Sequence, residues 1–242
     1  MSAVSAAQGL VSAGSRILAA HGVLDAYGHI SCRHPDRPDH FLIPRNLAPA
    51  LVQPDDVVEL DLDGNPATPS ADVPLFLERF IHGEIYRRRP DVQAVVHSHA
   101  LPVMPFTVVA NATIRPICHM CGFLRETPGA FDLADHAGPA TNLLITSPDL
   151  GRHLAEHLGD ARVVPMRAHG FTAVGTRVEQ AVYHAIYTVK NCEIELASRK
   201  LGEPQFLSQG EAEACERTMD TVIPRAWNLW VRQSAPDLAE GN

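Results

Sequence analysis

The alternation of amphipathic helices with short β-like runs most constrains the fold of this chain. Apolar residues recur at helical spacing in five segments: 4–21, 74–89, 147–159, 177–201 and 210–233. Runs typical of short strands lie between them: 30–33, 41–43, 57–60, 94–96, 163–166 and 171–174. Residues 101–110 predict only a short or kinked helix because they contain Pro102 and Pro105. This interleaving predicts a layered α/β or α/β/α domain.

Composition and charge exclude several classes of protein. A chain of 242 residues that is 45% hydrophobic has enough apolar side chains for one substantial domain or two small ones. The net charge of −8 gives no general attraction for nucleic acid phosphates. No apolar run approaches the roughly 18 residues of a membrane span, so we expect neither nucleic acid nor a membrane as a partner.

The cysteines and the first residues favour a cytoplasmic location. The N-terminal segment lacks the basic start, apolar stretch and small-residue cleavage site of a secretory signal. Five cysteines, an odd number, suit a reducing compartment better than a disulfide framework. We interpret Cys118 and Cys121 as small apolar fillers.

Histidine is unusually frequent, with 13 in the chain, and two histidines directly follow a strand-like run. His97 and His99 come after the uncharged triplet 94–96. In an extended chain residues i and i+2 point to the same face, so both imidazoles can reach one ion. Chance is the alternative explanation for an isolated pair of this kind, so a metal site requires a third ligand.

His169 is the candidate third ligand, because it lies between Arg167 and Gly170 at the junction of two strand-like runs. A lone histidine there would otherwise be a hydrogen-bonded core or turn residue. Three neutral imidazoles with an open position are typical of a catalytic metal site, whereas structural sites close with four protein ligands. The set is compatible with Zn²⁺, Mn²⁺, Fe²⁺ or Mg²⁺.

Glu78 is a candidate proton-transfer residue. It lies in the predicted helix 74–89 among apolar side chains. Such an acid can have a raised pKa, which suits it to proton transfer at neutral pH. Because Arg79 and Glu84 are near, a solvated helix face is the alternative interpretation.

Four parts of the sequence, in this order, resemble the class II aldolase/adducin family: 27–31 (YGHIS), Glu78, 94–99 (AVVHSH) and 167–170 (RAHG). The similarity covers roughly residues 8 to 202. It implies an α/β/α sandwich with a central, largely antiparallel sheet, and a homotetramer with active sites between subunits. It also implies a divalent metal, typically Zn²⁺, bound by His97, His99 and His169, with Glu78 as the catalytic acid/base.

The chain departs from the sugar-phosphate aldolases of this family where those enzymes hold phosphate. They usually carry small polar residues in three loops, at which this chain has Gly28-His29, Arg45-Asn46 and Phe76-Leu77. We therefore expect His29 and Arg45 to bind a planar carboxylate, for which arginine offers a bidentate match. Phe76 is expected to face an aromatic ring, and Ser31 completes the predicted substrate-binding set. For Arg45 a surface cation is the alternative.

Residues 115–124 (RPICHMCGFL) resemble a branch of the family that includes decarboxylases of hydroxylated aromatic acids. Examples are dihydroxyphthalate decarboxylases and hydroxymethylpyridine-dicarboxylate decarboxylase. The resemblance implies that His119 lies near the site as a proton donor or a carboxylate contact. As an isolated histidine, His119 is equally compatible with a buried, hydrogen-bonded role.

We therefore expect a metal-dependent carbon–carbon lyase that decarboxylates an ortho-hydroxy aromatic (di)carboxylate through a metal-stabilised enolate. Glu78 is the first candidate for the acid and His119 the second. One alternative is a class II aldolase that cleaves a sugar phosphate or a hydroxy-keto acid with the same metal and Glu78. The other is a non-catalytic, adducin-like binding module, which has no physical need for three histidines.

The sequence predicts a catalytic domain over residues 1–205 and a C-terminal helical extension over 206–242. Trp227 and Trp230 give the extension more apolar surface than a free tail would carry. We expect it to pack on the body of the chain or on a neighbouring subunit.

Overall fold

The computed structural model describes residues 2–68 and 73–239, and within these ranges six strands form one sheet. The strands are β1 (His29–Arg33), β2 (His40–Pro44), β3 (Val57–Asp61), β4 (Ala94–Ser98), β5 (Val163–Met166) and β6 (Gly170–Gly175). Their order across the sheet is β3-β2-β1-β4-β6-β5, and every neighbouring pair is antiparallel. The predicted antiparallel sheet is therefore confirmed, and each predicted strand lies within an observed one or overlaps it.

The helices are α1 (Ala3–Ala20), α2 (Arg79–Arg88), α3 (Met104–Val108), α4 (Ala134–Ala137), α5 (Pro148–Leu158), α6 (Val178–Ser198), α7 (Gln209–Ser234) and α8 (Pro236–Ala239). Short 3₁₀ turns occur at Pro49–Leu51, Pro54–Asp56, Leu101–Val103 and His119–Glu126. Local sequence explains several of these boundaries. The Ser147 side chain caps α5 by accepting a hydrogen bond from the amide of Leu150. Gly159, with a φ of 53°, ends the helix. No helix among the described residues combines the length and apolar character that a membrane span requires.

Two apolar cores lie on opposite faces of the sheet, as strand alternation requires. Val96 of β4 and Ala173 of β6 belong to the core shared with α1 and α6. Their neighbours Val95 and Val174 belong to the core shared with α2 and α5. Because both faces are covered by helices, the molecule has the α/β/α layering that the sequence predicts.

One predicted helix begins later than expected. The apolar spacing predicts a helix over 74–89, but α2 begins at Arg79, and Glu78 is its N-cap residue rather than an interior residue. The amide of Asn46 donates to the carbonyl of Pro74 at 2.7 Å, which holds this segment against the loop after β2. The tertiary contact therefore outweighs the helical spacing of residues 74–78.

Helix α7 packs on the body of its own chain. Four of its side chains are buried: Ala212, Ile223, Trp227 and Trp230. A Cβ at Gly122 would collide with the carbonyl oxygen of Ala212, so the 3₁₀ turn and α7 approach each other at a position where only glycine fits. Pro224 lies inside α7 and has no amide hydrogen to bond the carbonyl of Asp220, which accepts from Arg177 Nη2 at 3.1 Å instead.

Candidate metal centre

Four potential metal ligands meet at one edge of the sheet. His97 lies in β4, His99 follows that strand, His169 lies in the turn between β5 and β6, and Glu78 is the residue just before α2. The Nε2 atom of His99 is 3.0 Å from that of His97 and 3.1 Å from that of His169. Glu78 Oε2 is 3.4 Å from His97 Nε2 and 3.3 Å from His169 Nε2. The structure thus brings the three predicted histidines and Glu78 together.

The tight turn between β5 and β6 positions His169. Ala168 has a φ of 53° and Gly170 a φ of 152°. A Cβ at position 170 would collide with the carbonyl oxygen of Ser98, so glycine is required where this turn presses against the end of β4. The close approach places His169 beside His99, with their rings stacked at a centroid distance of 4.9 Å.

The spacing of the four atoms fits a divalent cation. Zn–N bonds of about 2.0–2.1 Å imply ligand–ligand distances of about 3.3–3.4 Å in a tetrahedral site. Thr172 donates to Met166 Sδ at 3.6 Å, so its oxygen accepts from His97 Nδ1 at 3.2 Å. With its proton on Nδ1, His97 turns the lone pair of Nε2 toward the other ligands, and this is the tautomer that a bound ion requires. Ring nitrogens at this distance share either a proton or a cation, and one divalent ion would meet all three of them together with Glu78 Oε2.

The pKa values of these groups reflect burial and mutual interaction. Burial, with repulsion from His97 and His169, lowers the pKa of His99 to about 4. Burial favours the neutral form of Glu78, but attraction to His97 and hydrogen bonds with His169 and His97 outweigh it and lower its pKa. The expectation of a raised pKa for Glu78 is therefore wrong, because it considered the apolar neighbours and not the facing imidazoles.

A buried hydrogen-bond chain leads away from the site through His29. Its Nδ1 is 2.7 Å from His82 Nε2, His82 Nδ1 is 2.6 Å from Ser31 Oγ, and Ser31 Oγ is 2.7 Å from the Tyr86 hydroxyl. Burial, followed by repulsion from His97, lowers the pKa of His82 to about 3, so His82 is neutral at neutral pH.

The chain of bonds has a direction. Within the described residues, Ser31 Oγ is the hydrogen-bond partner of the Tyr86 hydroxyl, and either oxygen can donate. We assign Tyr86 as the donor, because its buried phenol proton then has an acceptor. Tyr86 then donates to Ser31, Ser31 donates to His82 Nδ1, and His82 donates from Nε2 to His29 Nδ1. His29 consequently carries its own proton on Nε2, for which the described residues provide no hydrogen-bond partner. The arrangement makes His29 a donor toward the site.

The predicted substrate-binding residues have different placements. The ring of His29 is 5.3 Å from that of His97 and 4.5 Å from that of Phe76, so the structure brings these three together. Ser31 is fully buried and bonded to His82 and Tyr86, which contradicts its expected contact with substrate. Its hydroxyl forms hydrogen bonds within the protein and does not face the site.

Arg45 follows β2 at the same edge of the sheet. Cys32 of β1 pairs with Leu42 of β2, and continuing this register places Arg45 opposite His29. Its Nε donates to Asp56 Oδ1 at 2.8 Å, and its side chain is 40% exposed. Arg45 is thus anchored by one nitrogen, and its carboxylate-binding role stays a prediction.

His119 begins the 3₁₀ turn His119–Glu126 and is exposed. Within the described residues, neither a hydrogen bond nor a ring contact joins it to the four ligands, so its role as a proton donor stays a prediction. A cavity of about 230 Å³ borders His99 and is also lined by Gly22, Val23, Asp25, Ala100, Leu101 and Pro102. A larger cavity of about 430 Å³ lies beside Arg115 and Phe206 and shares no lining residue with the metal ligands.

The sequence interpretation missed His82, Tyr86 and Thr172. One signal was available for two of them: Glu78, His82 and Tyr86 are spaced by four residues, which places them on one side of a helix. Thr172 carries no such signal, because its contact with His97 depends on the pairing of β4 with β6.

Comparisons with known proteins agree with this geometry. Residues 8–196 match the Class II Aldolase and Adducin N-terminal domain family. The chain is 41% identical over 243 residues to Decarboxylase tropJ of Talaromyces stipitatus, with 91% of each chain covered. It is 32% identical over 197 residues to the 3,4-dihydroxyphthalate decarboxylase of Arthrobacter keyseri, with 71% of this chain and 70% of the relative covered.

The fold has a solved counterpart. An aldolase II superfamily protein from Pseudomonas syringae superposes with a TM-score of 0.79 at 22% identity, and the match covers 98% of this chain and 95% of the other. The family match spans most of the sequence and contains all four potential metal ligands. The chain therefore belongs to the class II aldolase/adducin family.

Proposed function

We propose that this protein is a metal-dependent carbon–carbon lyase that removes carbon dioxide from an ortho-hydroxy aromatic carboxylate. The observation that carries the proposal is the convergence of His97, His99, His169 and Glu78 beside the paired rings of His29 and Phe76. The relatives named as decarboxylases support decarboxylation as the reaction. The aromatic side chain of Phe76, in place of a small polar residue, supports an aromatic substrate over a sugar phosphate.

The three histidines would hold the ion, which we propose to be Zn²⁺, and Glu78 Oε2 lies close enough to share the site. When bound, such an ion supplies positive charge that stabilises the negative charge developing on a substrate oxygen as the C–C bond breaks. Because imidazoles are neutral ligands, they leave the charge of the ion undiminished.

The proton steps are assigned to Glu78. Glu78 is a carboxylate at neutral pH, and in this proposal its Oε2 first accepts the proton of the substrate hydroxyl. Glu78 then returns this proton to the ring carbon that bears the carboxylate. The C–C bond breaks, its electron pair stays in the ring, carbon dioxide leaves, and water reprotonates the phenolate. His119 is the second candidate for the proton donor.

The remaining residues orient the substrate. His29 donates from Nε2 to a carboxylate oxygen, Arg45 offers its two terminal nitrogens to a second carboxylate, and Phe76 packs against the ring. This division gives each polar group of an ortho-hydroxy diacid a hydrogen-bonding partner, and the second carboxylate a partner of opposite charge in Arg45.

The experiment measures carbon dioxide release by the purified, Zn²⁺-loaded protein from ortho-hydroxy aromatic mono- and dicarboxylates. We expect turnover that falls at least about a hundredfold in Glu78→Gln, as the loss of a proton-transfer group predicts, and that is retained in the surface control Glu156→Gln. A protein that cleaves a ketose phosphate or a hydroxy-keto acid and releases no carbon dioxide is an aldolase instead. A protein that binds no ion and turns over neither substrate class is a binding module.

We also propose that the protein is a cytoplasmic homotetramer, with residues 1–205 as the catalytic domain and 206–242 as the C-terminal extension. The burial of Trp227 and Trp230 against the same chain supports packing of the extension on the body. Light scattering after size-exclusion chromatography tests the subunit number.

A further inference from the structure

Cys118 and Cys121 stand at C-x-x-C spacing, and their Sγ atoms are 3.2 Å apart. Both are free thiols in the structure. Their interpretation as small apolar fillers overlooks this contact, although the spacing is visible in the sequence. Two thiols at C-x-x-C spacing are typical of sites that exchange reversibly between dithiol and disulfide.

The two thiols have different surroundings. Cys118 is half-buried and precedes the 3₁₀ turn, whereas Cys121 is fully buried. The hydrogen bond with Cys121 outweighs burial and, together with the amide of Met120, lowers the pKa of Cys118 to about 6. The same hydrogen bond and burial raise the pKa of Cys121. Cys118 is therefore the nucleophile that reaches an external reagent, and Cys121 is the internal partner.

The backbone around the pair is held firmly. The amide of Cys121 donates to the carbonyl of Cys118 at 2.9 Å, which closes the turn between them. The Tyr183 hydroxyl donates to the carbonyl of Met120 at 2.9 Å, and Gly122 packs directly on Ala212 of α7. A disulfide has an S–S distance of about 2.05 Å, so the sulfurs need to approach by only about 1.2 Å. We expect side-chain rotation to cover this difference while the turn keeps its position.

We propose that Cys118 and Cys121 form a redox-active dithiol that closes to an intramolecular disulfide in exchange with a low-molecular-weight disulfide such as oxidised glutathione. The Cys118 thiolate attacks one glutathione sulfur, forms a mixed disulfide and releases one glutathione thiolate. Cys121 then loses its proton and attacks Cys118 Sγ, which releases the second glutathione thiolate. The two cysteines together lose two electrons and two protons, and oxidised glutathione gains the electrons.

The dithiol has a defined position relative to the rest of the molecule. His119 and Met120 lie between the two cysteines, so the disulfide would join the two ends of the four-residue segment 118–121, which includes His119. A cytosolic disulfide of this kind is reversible by the glutathione pool, as is typical of redox-responsive sites. This inference does not depend on the proposed lyase reaction.

The native protein is equilibrated with oxidised glutathione and is then analysed by intact mass and by a thiol count after denaturation in acid, which exposes all five cysteines. We expect the wild type to lose two of its five thiols, to become lighter by two hydrogen atoms, and to recover both on addition of reduced glutathione. Cys121→Ser removes the internal partner, so we expect it to accumulate one glutathione adduct on Cys118. Cys118→Ser leaves only the buried thiol of the pair, so we expect no adduct at position 121.

The matched control is Cys215→Ser, which removes a half-buried cysteine of α7 and should leave the disulfide intact. Circular dichroism confirms that each variant is folded. The proposal is overturned if the folded wild type keeps five thiols under these conditions. It is also overturned if Cys118→Ser still loses two thiols, because a different pair would then be responsible.

Discussion

At the scale of single residues, the site depends on which ring nitrogens face the ion. His97 presents Nε2 because Thr172 occupies its Nδ1. The convergence of three Nε2 atoms therefore predicts a stoichiometric divalent ion that is lost when one imidazole is removed.

We expect His97→Ala and His169→Ala each to reduce bound metal from about one ion per chain to a small fraction, because two imidazoles hold such an ion far more weakly than three. Elemental analysis after extensive dialysis measures the ion content. The control is His136→Ala, an exposed histidine of α4 outside the site. Full metal content in both site variants would show that the ion, if any, is bound elsewhere.

The hydrogen-bond chain behind His29 gives a second prediction at this scale. Tyr86→Phe removes the hydroxyl that donates to Ser31, and with it the bias that keeps the His29 proton on Nε2. We expect KM for the carboxylate substrate to rise about fivefold to tenfold, equivalent to the roughly 1 kcal/mol of one hydrogen bond. Because Tyr86 contacts none of the metal ligands through this bond, kcat and metal content should change little.

Steady-state kinetics with metal analysis measures all three quantities, and Tyr187→Phe is the matched control on α6. A fall in kcat with KM unchanged would argue against a role of these hydrogen bonds in orienting the substrate. A lower metal content in Tyr86→Phe would show instead that Tyr86 helps to hold the metal ligands in position.

At the scale of elements, α7 depends on a contact that its own sequence does not provide. Pro224 leaves the carbonyl of Asp220 without its usual helical partner, and Arg177 donates to both that carbonyl and Asp220 Oδ1. Gln180 donates to the same carboxylate at 2.7 Å. The beginning of α6 therefore supports the middle of α7.

We expect Arg177→Ala to lower the free energy of unfolding by about 1–2 kcal/mol, because a helix carbonyl and a carboxylate both lose a donor. Urea denaturation measures the change, with Arg217→Ala on the exposed side of α7 as control. An unchanged unfolding midpoint for Arg177→Ala would mean that water replaces the guanidinium without cost. A large effect of Arg217→Ala would show that charge alone matters.

The helices and strands differ in how far the sequence alone predicts them. The strands and α5 were predictable because short apolar runs between turn residues, a serine cap and a terminal glycine are local signals. The start of α2 was not, because residues 74–78 have helical spacing and are held instead by the loop after β2. The four potential metal ligands could be named from local motifs and the family resemblance, whereas the direction of the Glu78 pKa shift depends on imidazoles from distant segments.

At the scale of the whole molecule, buried histidines make stability depend on pH. Burial lowers the pKa of His184 to about 4, although its hydrogen bond to the carbonyl of Val174 opposes this. Burial lowers the pKa of His82 as well, to about 3. In the unfolded chain both titrate near 6.5, so between pH 6.5 and about 4 the unfolded state binds more protons than the folded state. The free energy of unfolding therefore falls as the pH is lowered through this window.

For His184 the full shift corresponds to on the order of 3 kcal/mol of stability, present above pH 6.5 and lost by about pH 4. We expect His184→Gln, which does not titrate and keeps a donor for Val174, to lose less stability between neutral pH and pH 4 than the wild type. Urea denaturation of the metal-free proteins at several pH values measures both slopes, and the exposed His119→Gln is the control. Equal slopes for wild type and His184→Gln would mean that His184 is protonated without unfolding. The acid sensitivity would then belong to other buried histidines, such as His82 and His99, whose pKa values are also lowered, to about 3 and about 4.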